Sequence, residues 1–180
     1  MNIKNLTVKE QVLLAMQRVY SNSLTTTSGG NISAIDENGH IFITTSGIDK
    51  GTLNIDDIVE VLPDGTAVGR HKPSMELPFH SNIYRTCKDV KAIVHAHAPA
   101  CVAYACMRLV PDSSCAGAYE EKLGDIAGSQ YALPGSLKLG GIVMKGFEKG
   151  SRAVMMDNHG ATVGAEDMQS ALAKYETLDY

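Results

Sequence analysis

No stretch of this sequence is apolar for long enough to cross a bilayer. The opening residues, MNIKNLTVKEQ, lack the apolar core of a signal peptide, so the expected location is the cytoplasm, with no membrane partner. Cysteine is sparse as well. Cys87, Cys101, Cys106 and Cys115 show no Cys-x-x-Cys spacing, which argues against a disulfide framework or a zinc ribbon and for reduced thiols. Basic clusters are missing: the formal charge is -4, and the densest basic run, GRHKP from Gly69 to Pro73, is too short to follow a phosphate backbone. Nucleic acid is therefore not an expected partner. Neither linker, internal repeat nor low-complexity tract interrupts the chain, so residues 1–180 are expected to form one domain.

What is present is ordinary globular composition, 44% apolar and 20% charged. Thr7-Val8-Lys9-Glu10 has capping-box spacing, and Val8, Val12, Met16 and Val19 follow at helical intervals, predicting a helix from about Val8 to Tyr20. Two hairpins come next. One pairs Asn31–Ile35 with His40–Thr45 through Asn38-Gly39; the other, in VEVLPDGTAVG, turns at Asp64-Gly65.

After Pro73 helices enter. SMELPFHSNIYRTC reads as a helix with Ser74 as N-cap, Pro78 in its first turn, and Leu77, Ile83 and Tyr84 facing inward. KAIVHAHA reads as a strand, and Pro99 opens a helix to about Met107. DIAGSQYALPG holds a short strand, and SLKLGGIVMKGFEKG a helix weakened by Gly140-Gly141. RAVMMDNHGATVG is a strand, a polar turn and a second strand, and AEDMQSALAKYETLDY is a final helix. The alternation predicts a layered α/β domain around a mixed sheet.

The chemistry concentrates at KAIVHAHAPACVAYA. Residues two apart on a strand share a face, so His95 and His97 project side by side. Two readings are open: core histidines satisfied by backbone, or two ligands of one metal. His159, which ends the apolar run AVMMDNHG and is followed by Gly160 to turn the backbone, is the best third imidazole. His40 in a hairpin and His71 in a polar loop are poor candidates, and His80 is open between packing and support of a ligand. Glu76, in the first turn of its helix, is the obvious carboxylate, although the helix dipole alone also favours an acid there. SGGN, through Gly29 and Gly30, can form a nest of backbone donors, while Ser46 and Ser74 add hydroxyls, Ser74 at a helix N-terminus. No lysine lies in a clearly apolar strand, which argues against a Schiff-base enzyme.

KPSMELPFH, IVHAHAP and DNHGATV, in that order, resemble the class II aldolase/adducin family over nearly the whole chain. The resemblance implies a three-layer α/β/α fold with a central mixed, largely antiparallel sheet. It implies a catalytic zinc ion, or another divalent metal, on Glu76, His95, His97 and His159. It implies a substrate phosphate held by Gly30, Asn31, Ser46, Gly47, Ser74 and the backbone of Met75, where relatives of the fuculose type often carry a second serine. The implied reaction is reversible cleavage of a phosphorylated ketose to dihydroxyacetone phosphate and a small aldehyde, with Glu76 as proton carrier. Family alternatives are a pentulose-5-phosphate 4-epimerase, which usually has Asp in place of Glu76, and a methylthioribulose-1-phosphate dehydratase. A non-enzymatic alternative is an adducin-like binding module, from which these ligands are absent. The resemblance further implies a ring-shaped homotetramer and the lack of a longer C-terminal segment that supplies a proton donor in the fuculose enzyme. Neither Tyr119 nor Tyr131 aligns with a donor, so the general acid has no candidate here.

Overall fold

A computed structural model describes residues 3–115 and 117–180. One eight-stranded sheet runs through it in the order β4-β3-β2-β1-β5-β8-β7-β6. Its strands are β1 (Asn31–Ile35), β2 (Ile41–Thr44), β3 (Ile58–Val61), β4 (Ala67–Val68), β5 (Ala92–Ala96), β6 (Ile126–Ser129), β7 (Ala153–Met156) and β8 (Gly160–Ala165). Every pairing is antiparallel except β6 with β7. The expected mixed, largely antiparallel sheet is therefore observed.

Helices cover both faces. On one side lie α1 (Val8–Ser21), α3 (Pro99–Met107), α4 (Gly117–Leu123) and α6 (Met168–Asp179), packed on a core that includes Val12, Met16, Ile32, Val94, Val163 and Tyr175. On the other lie α2 (Leu77–Thr86) and α5 (Leu137–Glu148), with Phe79, Ile83, Ile93, Val143, Phe147 and Val154 between them and the sheet. The strand period sorts side chains between these cores. Along β5, Ala92, Val94 and Ala96 face the first layer, and Ile93 the second. His95 follows the second set, beneath α2, with its ring edge-on to Phe79.

Local sequence explains most boundaries. Thr7 and Glu10 close the predicted capping box of α1 reciprocally, by hydrogen bonds of 2.8 and 3.3 Å. In the first hairpin the Asp36 carboxylate accepts from the backbone of Asn38 and His40, so β2 begins at Ile41 rather than His40. The Gly140-Gly141 pair does not interrupt α5, and a Cβ on Gly140 would meet that of Phe79 of α2 at 3.4 Å, an ordinary contact.

The start of α2 departs from expectation. Ser74 is not its N-cap; the helix begins at Leu77, and Glu76 occupies the cap position without a side-chain capping bond. Thr45 bridges to Pro73, and the Thr44 carbonyl accepts from Ser74 N–H at 3.2 Å, holding this approach against the sheet. A turn from Ser74 to Leu77 follows, closed by Leu77 N–H on the Ser74 carbonyl at 3.0 Å.

Candidate metal centre and phosphate cavity

Antiparallel pairing of β1 with β5 sets Asn31 opposite His95, and pairing of β5 with β8 sets His95 opposite Thr162. The turn joining β7 to β8 brings His159 to the same end of the sheet. That turn is made by Asn158, with φ at 54°, and not by Gly160 as expected. Glycine is needed at 160 for a different reason: a Cβ there would sit 2.5 Å from the Ala96 carbonyl oxygen and 2.9 Å from the His97 ring.

The three imidazoles form a nearly equilateral triangle, with ring centroids 5.0, 4.8 and 4.9 Å apart. One potential ligand atom from each lies within 4.8 Å of the other two. His95 Nδ1 lies 3.0 Å from the Ala161 carbonyl, which can only accept, so this nitrogen carries the proton. The lone pair is then on Nε2, which is 3.2 Å from His97 Nε2 and 3.2 Å from Glu76 Oε2. Glu76 Oε1 stands 3.8 Å from His159 Nε2.

Burial keeps the cluster neutral. It pushes the pKa of His95 well below the ordinary value, and the neighbouring His159 and His97 push in the same direction. Burial also lowers those of His97 and His159, the latter against an opposing pull from Glu76. Neutral imidazoles offer lone pairs, as metal binding requires. Within this cluster, two buried atoms, Glu76 Oε1 and His159 Nδ1, have no hydrogen-bond partner among the described residues. Unsatisfied buried acceptors are costly, and a divalent cation satisfies several together. The donor set of three nitrogens and a carboxylate suits such an ion with room for a substrate oxygen.

Glu76 is held by a buried hydrogen-bond chain. Asn31 Nδ2 donates to Glu76 Oε2 at 2.7 Å, and His80 Nε2 donates to Asn31 Oδ1 at 2.5 Å. His80 Nδ1 must then accept from the Ser33 hydroxyl at 2.7 Å, and Ser33 Oγ lies 2.7 Å from the Tyr84 hydroxyl. His80 is thus a support of the candidate ligand Glu76 through Asn31. Ser33 shares a strand face with Asn31, a period visible in NISAI; its meeting with His80 and Tyr84 of α2 has no local signal.

Beside the cluster opens a cavity of about 280 Å³, lined in part by Gly30, Asn31, Ser46, Gly47, Ser74, Met75, Glu76, His97 and His159. The residues expected to cradle a phosphate therefore meet at one place. Their contributions differ from expectation. Asn31 commits its amide to Glu76 and His80. Ser46 N–H donates to the Lys72 carbonyl, at 3.4 Å. The N–H groups of Glu76 and Leu77 are taken by Ser74, so the start of α2 is not a free anion trap. Ser74 Oγ accepts from Glu76 N–H at 3.2 Å, which leaves its hydroxyl proton for an incoming anion. Lys50, outside every expected set, also lines the cavity.

Among the described residues, a layered α/β fold thus carries an imidazole triangle that could hold a metal ion, with a carboxylate and a cavity beside it. Residues 10–180 match the family model described as class II aldolase and adducin N-terminal domain. The chain belongs to that family. It is 33% identical over 161 residues to an L-fuculose phosphate aldolase of Methanococcus maripaludis, covering 89% of this chain and 86% of that protein. It is 29% identical to a 5-deoxy-D-ribulose 1-phosphate aldolase of Bacillus thuringiensis, with 96% and 81% covered. It is 28% identical to a 3-oxo-tetronate 4-phosphate decarboxylase of Pectobacterium atrosepticum, with 86% and 72% covered. A solved L-fuculose 1-phosphate aldolase superposes with a TM-score of 0.88 at 32% identity, covering 96% of this chain and 82% of that one.

Proposed function

We propose that this protein is a zinc-dependent aldolase that reversibly cleaves a phosphorylated ketose to dihydroxyacetone phosphate and a small aldehyde. The observation that carries the reading is the convergence of three neutral imidazoles on a carboxylate whose Oε1 has no partner, at the edge of a hydroxyl-lined cavity. His95, His97, His159 and Glu76 would hold the ion, which supplies Lewis acidity toward the substrate carbonyl. Ser46, Gly47, Ser74 and the Met75 backbone fix the phosphate, so that the carbon chain meets the cluster in one orientation. In cleavage, the bond between the α carbon of the ketone and the hydroxyl-bearing carbon beyond it breaks; its electron pair stays with the dihydroxyacetone phosphate fragment as an enediolate, and the hydroxyl proton leaves to solvent as the aldehyde forms. Glu76, anchored at Oε2 by Asn31, would move between metal ligand and proton carrier: Oε1 takes a proton from solvent and delivers it to that carbon, and removes it in the synthetic direction. Proton transfer by a positioned carboxyl contributes about 10²–10⁴-fold to rate.

The decarboxylase relatives motivate a second reading. Loss of CO2 from a 3-oxo acid phosphate leaves the same kind of enediolate, and the same Oε1 would protonate it. Aldol cleavage additionally requires a base for the hydroxyl proton of the departing aldehyde; decarboxylation does not. A product assay separates them. Ketose 1-phosphates are expected to yield dihydroxyacetone phosphate and an aldehyde at equimolar amounts, with metal retained. CO2 release from the oxo acid without aldolase activity would establish the second reading, and pentulose 5-phosphate interconversion an epimerase. Purified protein that takes up no divalent metal would return the binding-module reading. Glu76→Gln is expected to abolish turnover while the fold persists; full turnover in that variant refutes the proton carrier. The expected homotetramer is checked by light scattering.

A further inference from the structure

Lys50 takes no part in the chemistry so far, yet it is one of the most buried side chains, 2% exposed. It begins a short 3-10 turn, Lys50–Thr52, just after the Thr45–Gly47 loop. Its backbone N–H donates to the Thr27 carbonyl at 2.8 Å, and Nζ donates to the Thr45 carbonyl at 2.8 Å. The residue is thereby clamped between two segments that border the cavity. An ammonium has three donors; Thr45 takes one. Burial alone lowers its pKa, with no acidic neighbour to oppose the shift. A buried ammonium without a counter-anion is destabilising unless an anion is delivered to it.

Among the described residues Lys50 is also the only lysine or arginine lining the cavity, and Glu76 lines the same space. Apart from the ion that Glu76 and the histidines would hold, a phosphate dianion entering there would otherwise meet only neutral hydroxyls and backbone N–H groups. We propose that Lys50 supplies the positive charge of the phosphate subsite, its free Nζ donors binding the substrate phosphate beside Ser46 and Ser74. The assignment rests on the sugar-phosphate reading above and deepens it. A bound dianion in turn raises the depressed lysine pKa, so the ligand stabilises the charge that recruits it.

The test is calorimetric titration of inorganic phosphate into metal-loaded wild type, Lys50→Met and Lys50→Gln. Glutamine keeps an N–H donor for the Thr45 carbonyl; methionine removes both donor and charge. Phosphate affinity is expected to fall about tenfold or more in both variants, as for loss of a charge-assisted hydrogen bond. The preference for a ketose phosphate over the unphosphorylated ketose, read as a ratio of kcat/KM, should fall with it, mainly through KM. Wild-type affinity in Lys50→Gln overturns the proposal and makes Lys50 a scaffold for the loop. A borohydride-stable adduct of Lys50 with a ketose phosphate overturns it in favour of a nucleophilic lysine. Should both variants fail to fold, wild type decides: phosphate must slow amine labelling of Lys50 but not of exposed Lys138, and equal labelling overturns the proposal. Wild type that binds no phosphate sinks the sugar-phosphate reading itself, a result distinct from loss confined to the variants.

Discussion

Replacing His80 by phenylalanine tests whether the buried chain behind Glu76 sets the chemistry in front of it. The ring stacks on Phe79, with centroids 4.3 Å apart, and a phenyl group of similar shape keeps that packing. Both ring hydrogen bonds are lost. Asn31 Oδ1 is left without its donor, while Ser33 can turn its hydroxyl proton toward Tyr84. One or two buried groups left unpaired cost about 1–3 kcal/mol each, so the expected loss of stability is about 2–4 kcal/mol. For a chain of this size that is a fall in Tm on the order of 10 °C. The amide of Asn31 also loses the contact that fixes its orientation. A flipped amide would present its oxygen to Glu76 Oε2, and the carboxylate would leave the position it now shares with His95. Disturbing such a support of a candidate ligand is expected to lower kcat about 10- to 100-fold. KM for a phosphorylated substrate should hold, because the phosphate is proposed to rest on Ser46, Gly47 and Ser74 rather than on the Asn31 amide.

The same variant carries a pH signature. Burial lowers the His80 pKa from 6.5 to about 3. Between those values the unfolded chain binds a proton that the folded chain refuses. The stability that neutral His80 contributes is therefore complete above pH 6.5 and is lost as pH falls toward 3, at about 1.4 kcal/mol per pH unit. Phenylalanine has no such dependence. Urea denaturation from pH 6.5 to 5 should show the gap between wild type and variant narrowing by about 2 kcal/mol. A gap that stays constant over this range, or a variant that loses less than about 1 kcal/mol with kcat intact, would refute the reasoning.

Two further substitutions probe the walls of the site. Gly160→Ala places a methyl group against the Ala96 carbonyl and the His97 ring, both fixed by the sheet. It should cost about 1–3 kcal/mol in urea denaturation and weaken zinc binding in a metal titration; unchanged affinity would show that His97 is not a ligand. Met75 is 68% exposed, so Met75→Ser should change stability by less than about 0.5 kcal/mol. If the phosphate lies where proposed, the added hydroxyl lowers KM for the phosphorylated substrate by about three- to tenfold and leaves that for the unphosphorylated sugar unchanged.

What the sequence discloses about this site follows the range of the forces involved. The Asn38-Gly39 hairpin, the Thr7–Glu10 capping box and the side-by-side projection of His95 and His97 each depend on residues a few positions apart, and all are legible. The residues alone leave His95 and His97 open between core and metal and offer His159 as the best third imidazole; the set of three comes from the family resemblance, and the structure brings them together. The start of α2 was misread since Ser74 has the chemistry of a cap. The Thr44 carbonyl, brought alongside by the fold, claims its N–H first, and Glu76 is left at the helix threshold with its carboxylate free to turn inward. Asn31 has a partner that its local sequence does not disclose: an asparagine after two glycines has the chemistry of an anion cradle, and only the packing of α2 over β1 reveals that His80 claims its side-chain oxygen. Lys50 left no trace at all, because lysine in a polar turn is nearly always solvated. In each miss a polar group's local preference was overruled by a partner distant in the chain. The overrulings cluster around Glu76 and the cavity because that is where the sheet end buries polar side chains together. There each donor must be matched to an acceptor by the tertiary fold, and among the described residues the Glu76 Oε1 left unmatched is the atom that the proposed chemistry uses.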